Sequence, residues 1–380
     1  MPLIATIIFL LAVAVLFYIV VGYPLLAASL ARRAPVVTVD GDELPTVSVI
    51  LPVHNGEPFL AAKLHSVLGL DYPKDRMQIL VIDDGSTDAT STIAANFADR
   101  GVKVLSQTKS GKATALNLGI SHASGEILLL TDVRQLLEPD GLRYLIARLA
   151  DPHVGVASGH LIVRTGDREE STVGLYWRYE SWIRKQLGRI DSIFGATGPY
   201  YAMRRDLAVP IPAECLLDDM YLPLAAFFRG YRLVVEERSI AHDYPTGLET
   251  EFGRKVRTLA GNYQILGQYP ELLTFRNRML FHFLSYKVGR LLMPWLVLTV
   301  TVTSFGLPHP WAALAIGLQG AFCGLAALDL FVPVHSRLKR LTASPRTLVS
   351  LLAATLVALC IFFVPPQKLW KTTRVRLEER

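Results

Sequence analysis

Apolar residues are laid out along this chain in two different ways. At both ends they run on without interruption, and in between they recur with the periods of strands and helices. Residues 2–31 contain no charged side chain, and neither do residues 291–328 or 347–367. Each run accommodates one or more helices of roughly 20 apolar residues, the length that crosses a bilayer. The first, from Leu3 to about Leu30, has no early Lys or Arg and is too long for the core of a signal peptide. It is expected to be a retained transmembrane helix over 1–31. The second run is broken at Gly306, Pro308 and Pro310, which predicts two helices near 288–306 and 311–334. A third is expected near 347–364, ending at Pro365-Pro366, followed by a basic tail within 271–380.

The interior, 32–270, reads as one large domain with alternating elements. Val47–Val53 is a mostly apolar run, and Gln78–Ile82, Gly101–Leu105 and Glu126–Leu130 are three more; all four read as strands of a buried sheet. Between them, Glu57–Leu68, Asp88–Phe97 and Ala113–His122 carry apolar residues at helical spacing. Strands alternating with helices imply βαβ units and a mostly parallel sheet covered on both faces. Beyond them, Trp177–Leu187 and Leu217–Phe228 read as helices and Leu233–Val235 as a short strand. Over Thr250–Leu266, Phe252, Val256, Leu259 and Tyr263 share one face while Arg254, Lys255 and Arg257 lie elsewhere. This amphipathic basic helix suits a membrane surface.

Charge sharpens the membrane reading. Only 19% of the 380 residues are charged and 51% are hydrophobic, against about 25% charged in an ordinary soluble domain. The net charge of +6 arises from basic flanks of the apolar runs: Arg32 and Arg33, then Arg337, Lys339, Arg340 and Arg346, then Lys368, Lys371, Arg374 and Arg376. Such flanks mark cytoplasmic sides. They place the interior domain in the cytoplasm of a multi-pass protein, with a bacterial plasma membrane as the expected setting. Four crossings would put the basic tail on the other side. Either the last segment is re-entrant or interfacial, or the bias fails there. No nucleic-acid-binding motif is visible. The cysteines Cys215, Cys323 and Cys360 form no metal or disulfide pattern.

In open α/β sheets, ligands bind outside the carboxyl ends of the strands, so the loops there are where chemistry is expected. Asp83-Asp84-Gly85-Ser86-Thr87-Asp88 follows the second strand. One acid is explained as a helix cap; two consecutive acids suit a nucleobase N–H and a ribose hydroxyl. The first loop, His54-Asn55-Gly56-Glu57, has no GxGxxG, which argues against a dinucleotide. Gly111-Lys112 at a helix start makes an anion site from the helix N-terminus and the ammonium group. Asp132, directly after the fourth strand, is placed to reach a metal bound to a diphosphate. Arg134 stands where a second acid would help, and its positive charge suits a departing diphosphate. Asp218-Asp219 opens a helix, either as acids favoured by the helix dipole or as a general base. Arg254 and Arg257, three apart on a helix, suit phosphates or anionic lipid headgroups.

Taken together, Val49-Ile50-Leu51-Pro52-Val53-His54-Asn55, the Asp83–Asp88 run, Gly111-Lys112-Ala113-Thr114-Ala115-Leu116-Asn117, Thr131-Asp132 and Leu217-Asp218-Asp219 resemble family 2 glycosyltransferases over roughly residues 45–265. The membrane-flanked layout is similar to that of polysaccharide synthases. The resemblance implies an α/β GT-A fold (Rossmann-like), a nucleotide-sugar donor, usually a UDP-sugar, and inverting transfer to a glycan or lipid-linked acceptor. It assigns Asp83 and Asp84 to the nucleoside and Lys112 to the diphosphate side, and Pro52, Asn55, Arg254 and Arg257 are expected among the residues that bind the nucleotide sugar. Asp132 matches the first acid of the DxD metal motif that binds Mg²⁺ or Mn²⁺. Asp219 matches the catalytic base, with Asp218 and Gly198 of Gly195-Ala196-Thr197-Gly198 lining the acceptor. Two departures stand out. The DxD motif is reduced to Asp132-Val133-Arg134, and Thr258 replaces the aromatic residue of the Gln/Arg-x-x-Arg-Trp motif in processive synthases. Trp370 and Arg374 resemble a C-terminal element of such synthases. The rival readings are a single-sugar transferase acting on a polyprenyl or other lipid acceptor, a nucleotide-sugar-binding protein with reduced catalysis, and a transporter. Asp329 is the one acid in the apolar helices, which gives a transporter little support.

Overall fold

The computed structural model of the chain describes residues 2–34, 44–163, 172–244, 248–333, 336 and 338–369. It divides into two compact units. One comprises Met1–Arg33, Asp167–Ile183 and Gly247–Arg374; the other comprises Ala34–Gly166, Arg184–Thr246 and Val375–Arg380.

The second unit is built on an eight-stranded sheet. Its strands are β1 (Val47–Val53), β2 (Met77–Asp84), β3 (Val102–Gln107), β4 (Ile127–Thr131), β5 (Leu136–Leu137), β6 (Val154–Val163), β7 (Tyr200–Arg204) and β8 (Arg232–Asp243). Their order across the sheet is β3-β2-β1-β4-β7-β6-β8-β5. β3, β2, β1 and β4 are mutually parallel. β7 runs against both β4 and β6, β8 is parallel to β6, and β5 runs against β8. The parallel half follows from its composition: every residue of β4 is buried, as is all of β1 but Pro52, as a strand covered on both faces requires. The helix Glu57–Leu68 turns Leu60, Leu64 and Val67 inward, and Lys63 with them. The Lys112–Ser121 helix buries Ala113, Ala115, Leu116 and Gly119.

The second half of the sheet departs further from the periodic pattern. β8 extends eight residues beyond the short apolar run Leu233–Val235, through Glu236-Glu237-Arg238. Glu236 is tolerated there, almost fully buried, because Arg148 (2.7 Å) and Arg238 (2.8 Å) both pair with it. The β6–β8 register shifts between Ser158 and His160, a bulge that breaks alternation. β7 is short but carries Tyr200 and Tyr201, both fully buried.

The first unit is helical. Among the described residues, four helices are long and apolar enough to cross a membrane: Pro2–Arg33, Leu280–Ser304, Trp311–Leu328 and Leu341–Phe362. Pro2–Phe17 packs along Gly289–Ser304, and Leu338–Val357 packs against Trp311–Leu328 and the amphipathic Leu248–Gln268 helix. Tyr18 and Ser285 hydroxyls are 2.7 Å apart, and the Tyr179 hydroxyl donates to Val20 O at 2.8 Å. The last long helix begins at Leu338, ahead of the expected Thr347. Lys339 and Arg346, which look like loop residues in the sequence, fold into it because Asp329 accepts both, at 2.9 and 2.8 Å, and Thr342 as well at 2.7 Å. The acid in the apolar region is thus part of an ion-pair cluster.

Gly125, just before β4, donates its N–H to Ser48 Oγ at 2.9 Å. A Cβ there would lie 2.5 Å from Ser48 N and 2.6 Å from Val47 C, backbone atoms that cannot swing aside. Gly125→Ala is therefore expected to destabilise the sheet unit by about 1–3 kcal/mol, read as a lowered thermal midpoint of the purified protein.

Candidate active site

The parallel pairing of β1 with β2 ends at Val53↔Asp83, so the loops after these strands leave the sheet side by side. They are tied to each other by polar contacts. Asn55 takes a left-handed conformation (φ 52°), which Asn tolerates better than most residues. Its N–H donates to Ser86 Oγ (3.0 Å) and its side-chain oxygen accepts the Thr87 N–H (2.8 Å). Glu57 N–H donates to Asp88, and Ala89 N–H donates back to Glu57, each at 3.1 Å. Gly85 (φ +66°) lets Lys109 approach so closely that a Cβ would sit 2.6 Å from its amide nitrogen. Pro52 is half-buried one residue before the end of β1.

The two consecutive acids have different duties. Asp83 accepts the Ser86 N–H at 2.9 Å and the Ser91 hydroxyl. Burial by itself would raise this carboxyl; the hydrogen bonds from Ser86 and Ser91 outweigh it and hold the group below the usual carboxylate range. Asp84 accepts from Gln107 Nε2 (2.7 Å), Ser110 N–H (2.7 Å) and Gly111 N–H (2.8 Å). It fixes the start of the Lys112–Ser121 helix. Lys112 is the first residue of that helix, and its ammonium bridges Asp132 (3.0 Å) and Asp218 (3.1 Å). Burial would push the ammonium's pKa down. Asp132, Asp218 and Asp219 more than reverse this, so it stays charged far above its ordinary range.

Asp218 and Asp219 begin the Asp218–Phe228 helix, Asp218 buried and Asp219 half-buried. Asp219 O accepts the Ala196 N–H at 2.7 Å, which docks the Gly195–Gly198 loop against this helix start. A Cβ at Gly198 would lie 2.6 Å from Asp219 Oδ2, so only glycine admits the carboxylate there. Burial and the neighbouring Asp218 push the Asp219 carboxyl up to about 6, with Lys112 and Arg184 opposing. Arg184 donates to Gly195 O at 3.0 Å. Sequence-predicted residues from four separate loops, Lys112, Asp132, Gly198 and Asp218-Asp219, therefore meet at one place.

The Asp132 turn is clamped by residues that the motif reading did not single out. Lys63, fully buried, donates to Thr131 Oγ1 and Gln135 O, both at 2.6 Å. Thr131 in turn donates to Pro199 O at 2.8 Å. Burial lowers the Lys63 ammonium to about 7, with Asp132 opposing. Arg134 makes a two-pronged pair with Asp243, both contacts 2.6 Å. Its charge, expected for a diphosphate, is held by β8. His242 pairs with Glu138 at 2.7 Å, an ordinary strand-edge contact. Tyr201, fully buried, has a hydroxyl with no hydrogen bond among the described residues; Asp218, Asp219 and Asp132 all bear on it electrostatically and raise its pKa further beyond the effect of burial. The sequence did hold a signal for Lys63. It lies three residues after Leu60 and four before Val67, in the apolar stripe of its helix. Asp243 and Arg184 carry no such local signal.

Arg254 and Arg257 belong to the helical unit. Arg254 pairs with Glu251 at 2.9 Å, one turn earlier on the same helix. Trp177 is half-buried and Trp182 is 38% exposed. The expected tail element, Trp370 and Arg374, lies outside the described residues.

Comparison with known proteins bears on this arrangement directly. Residues 48–209 match the model of the family described as "Glycosyl transferase family 2". The chain carries a family 2 glycosyltransferase domain. Over 258 residues it is 27% identical to the "Probable glycosyltransferase YdaM" of Bacillus subtilis, covering 63% of this chain and 61% of that protein. It is 24% identical over 237 residues to the poly-beta-1,6-N-acetyl-D-glucosamine synthase of Staphylococcus aureus, covering 59% and 56%. The matches thus span about three-fifths of these relatives' length. A mannosyltransferase from Pyrobaculum calidifontis, solved with GDP-Man and Mn²⁺, superposes with a TM-score of 0.72 at 23% identity, over 94% of this chain and 99% of that one. The shared fold is GT-A.

For the glycosyltransferase domain, the metal implied by the family can be tested against the side chains. Among the described residues, no group of three His, Cys, Asp or Glu is placed to enclose an ion. Magnesium-type sites commonly take one or two carboxylates and draw the rest of their shell from substrate phosphates and water. Asp132 and Asp218 aim oxygens at one point, now marked by the Lys112 ammonium. Three carboxylates face that single ammonium. The donor set fits a hard divalent cation brought in with a diphosphate.

Two outcomes test the site's construction. Asp243→Ala leaves the half-buried Arg134 without its counter-charge and is expected to destabilise the unit by about 1–3 kcal/mol, measured by denaturant or thermal unfolding. Gly198→Ala should leave the thermal midpoint nearly unchanged, because a flexible carboxylate rather than backbone yields. It should lower kcat at least 10-fold by displacing Asp219.

Proposed function

We propose that this chain is an inverting membrane glycosyltransferase that moves a sugar from a nucleotide donor, with UDP expected, to a polysaccharide or lipid-linked acceptor. The observation that carries this reading is the convergence of Lys112, Asp132 and Asp219 at the carboxyl ends of the strands, beside the Gly195–Gly198 loop. Asp219 supplies the general base. Its carboxyl, raised toward 6, is matched to accepting a proton near neutral pH. As it takes the acceptor hydroxyl's proton, the acceptor oxygen bonds to the anomeric carbon from the face opposite the leaving group. The bond from that carbon to the diphosphate breaks, and its electron pair leaves with the nucleoside diphosphate.

Lys112 meets the growing negative charge on the diphosphate. Such stabilisation is commonly the largest catalytic contribution, and loss of one donor costs on the order of 10²–10³ in rate. A divalent ion held by Asp132 would supply further Lewis-acid stabilisation of the same oxygens. Asp83, Asn55 and Pro52 form the nucleoside side, and Asp84 acts by holding the Ser110–Lys112 turn. Asp218 and Gly198 shape the acceptor side. Arg254 and Arg257, in the helical unit, carry guanidinium groups suited to phosphate oxygens or to anionic lipid headgroups. The four long apolar helices and their basic flanks support a multi-pass protein with a cytoplasmic catalytic unit, where a lipid-anchored or growing acceptor is held at the bilayer.

Asp219→Asn is expected to abolish transfer while leaving nucleotide affinity within about two-fold, measured by product formation and by calorimetry with UDP. Wild-type turnover in that variant would remove Asp219 from the role of base. Because the base acts deprotonated, kcat/KM should fall on the acid side with a midpoint near pH 6. Asp218→Asn removes the adjacent negative charge and should move that midpoint downward.

A further inference from the structure

Lys112 stands where the donor site most needs positive charge, yet it is bound to the acids that would take a metal. Its Nζ lies 3.0 Å from Asp132 and 3.1 Å from Asp218. We propose that the Lys112 ammonium is a placeholder cation, which holds the metal's position between the carboxylates and yields it only when a nucleoside diphosphate enters. The inference rests on reading this site as a nucleotide-sugar site, and it concerns the order of events there.

Four observations support it. Asp132 is the only acid its turn offers, since position 134 is an arginine locked to Asp243. An incoming ion therefore has to use an oxygen already engaged by Lys112 or its neighbour. A divalent ion beside the ammonium at these distances is strongly repelled in a partly buried setting, so metal alone competes poorly. The backbone of the lysine is fixed, because Asp84 holds the Ser110 and Gly111 amides. Its side chain is partly exposed, at 21%, so the ammonium can swing away by bond rotation alone. A diphosphate gives it a new anionic partner while bringing oxygens to complete the metal's shell. Finally, the fully buried Tyr201 hydroxyl, which lies in the field of the three carboxylates, has no hydrogen bond among the described residues. A buried polar group left without a partner calls for an explanation, and carboxylates released from Lys112 would supply an acceptor.

The test is Mn²⁺ binding by electron paramagnetic resonance to the purified full chain in detergent, with and without UDP or GDP. Wild type, Lys112→Met, Lys112→Gln and Lys112→Arg are compared, with thermal unfolding as the check on folding. Without nucleotide, wild type and Lys112→Arg should bind Mn²⁺ weakly. Lys112→Met and Lys112→Gln should bind it at least 10-fold more tightly, and Asp132→Asn in the Lys112→Gln background should cancel the gain. Nucleotide-free wild type binding Mn²⁺ as tightly as the neutral variants would overturn the proposal, as would unchanged Mn²⁺ affinity in whichever of them folds. A wild-type protein that binds neither UDP nor GDP would overturn the underlying reading of the site, an outcome distinct from either.

Discussion

The bridge from the Lys112 ammonium to Asp132 and Asp218 is the interaction on which the rest of the site depends. It joins three segments distant in the chain: the turn after β3, the end of β4 and the start of the Asp218–Phe228 helix. Without a cation there, three carboxylates would crowd one partly buried space, and like charges so close cannot all remain ionised. Burial, and after it this crowding, raise the neighbouring Asp219 carboxyl despite Lys112 and Arg184. The same crowding suits Asp219 to accept a proton.

Around this bridge the structure is stiffened by buried polar contacts rather than by hydrophobic packing alone. Lys63 holds both ends of the Asp132 turn from beneath, and Arg134 fastens it to Asp243. Thr131 links the turn to Pro199, next to the glycine that admits Asp219. Each contact positions a loop whose own sequence has no regular structure. Loops of this kind at the rim of a rigid sheet are where function concentrates. Position 134, which weakens the acidic motif, thereby gains a structural role.

The parallel half of the sheet was legible in the sequence because its strands are short, mostly apolar runs bounded by polar loops. Val47–Val53 and Glu57–Leu68 have the expected bounds. The other half was not. β8 carries Glu236-Glu237-Arg238, in which the burial of Glu236 is made possible by Arg238 and by Arg148, a partner far away in sequence. β6 is rich in small residues and bulged, so neither apolar density nor alternation marks it. The same division holds for the site. Asp132, Lys112 and Asp219 were visible because each sits in a distinctive local run. Asp243 and Arg184 act through partners far away in sequence, and only the fold brings them there. Lys63 lies between these cases, visible as a charge in an apolar stripe but without a stated reason until Thr131 and Gln135 are seen above it.

The most direct measurement is a donor screen on membranes containing the protein, using labelled UDP- and GDP-sugars with and without EDTA. The account predicts that one nucleotide sugar is consumed, that nucleoside diphosphate is released, and that the label appears in a glycan or lipid-linked product. Membranes in which the folded protein consumes none of these donors would contradict it.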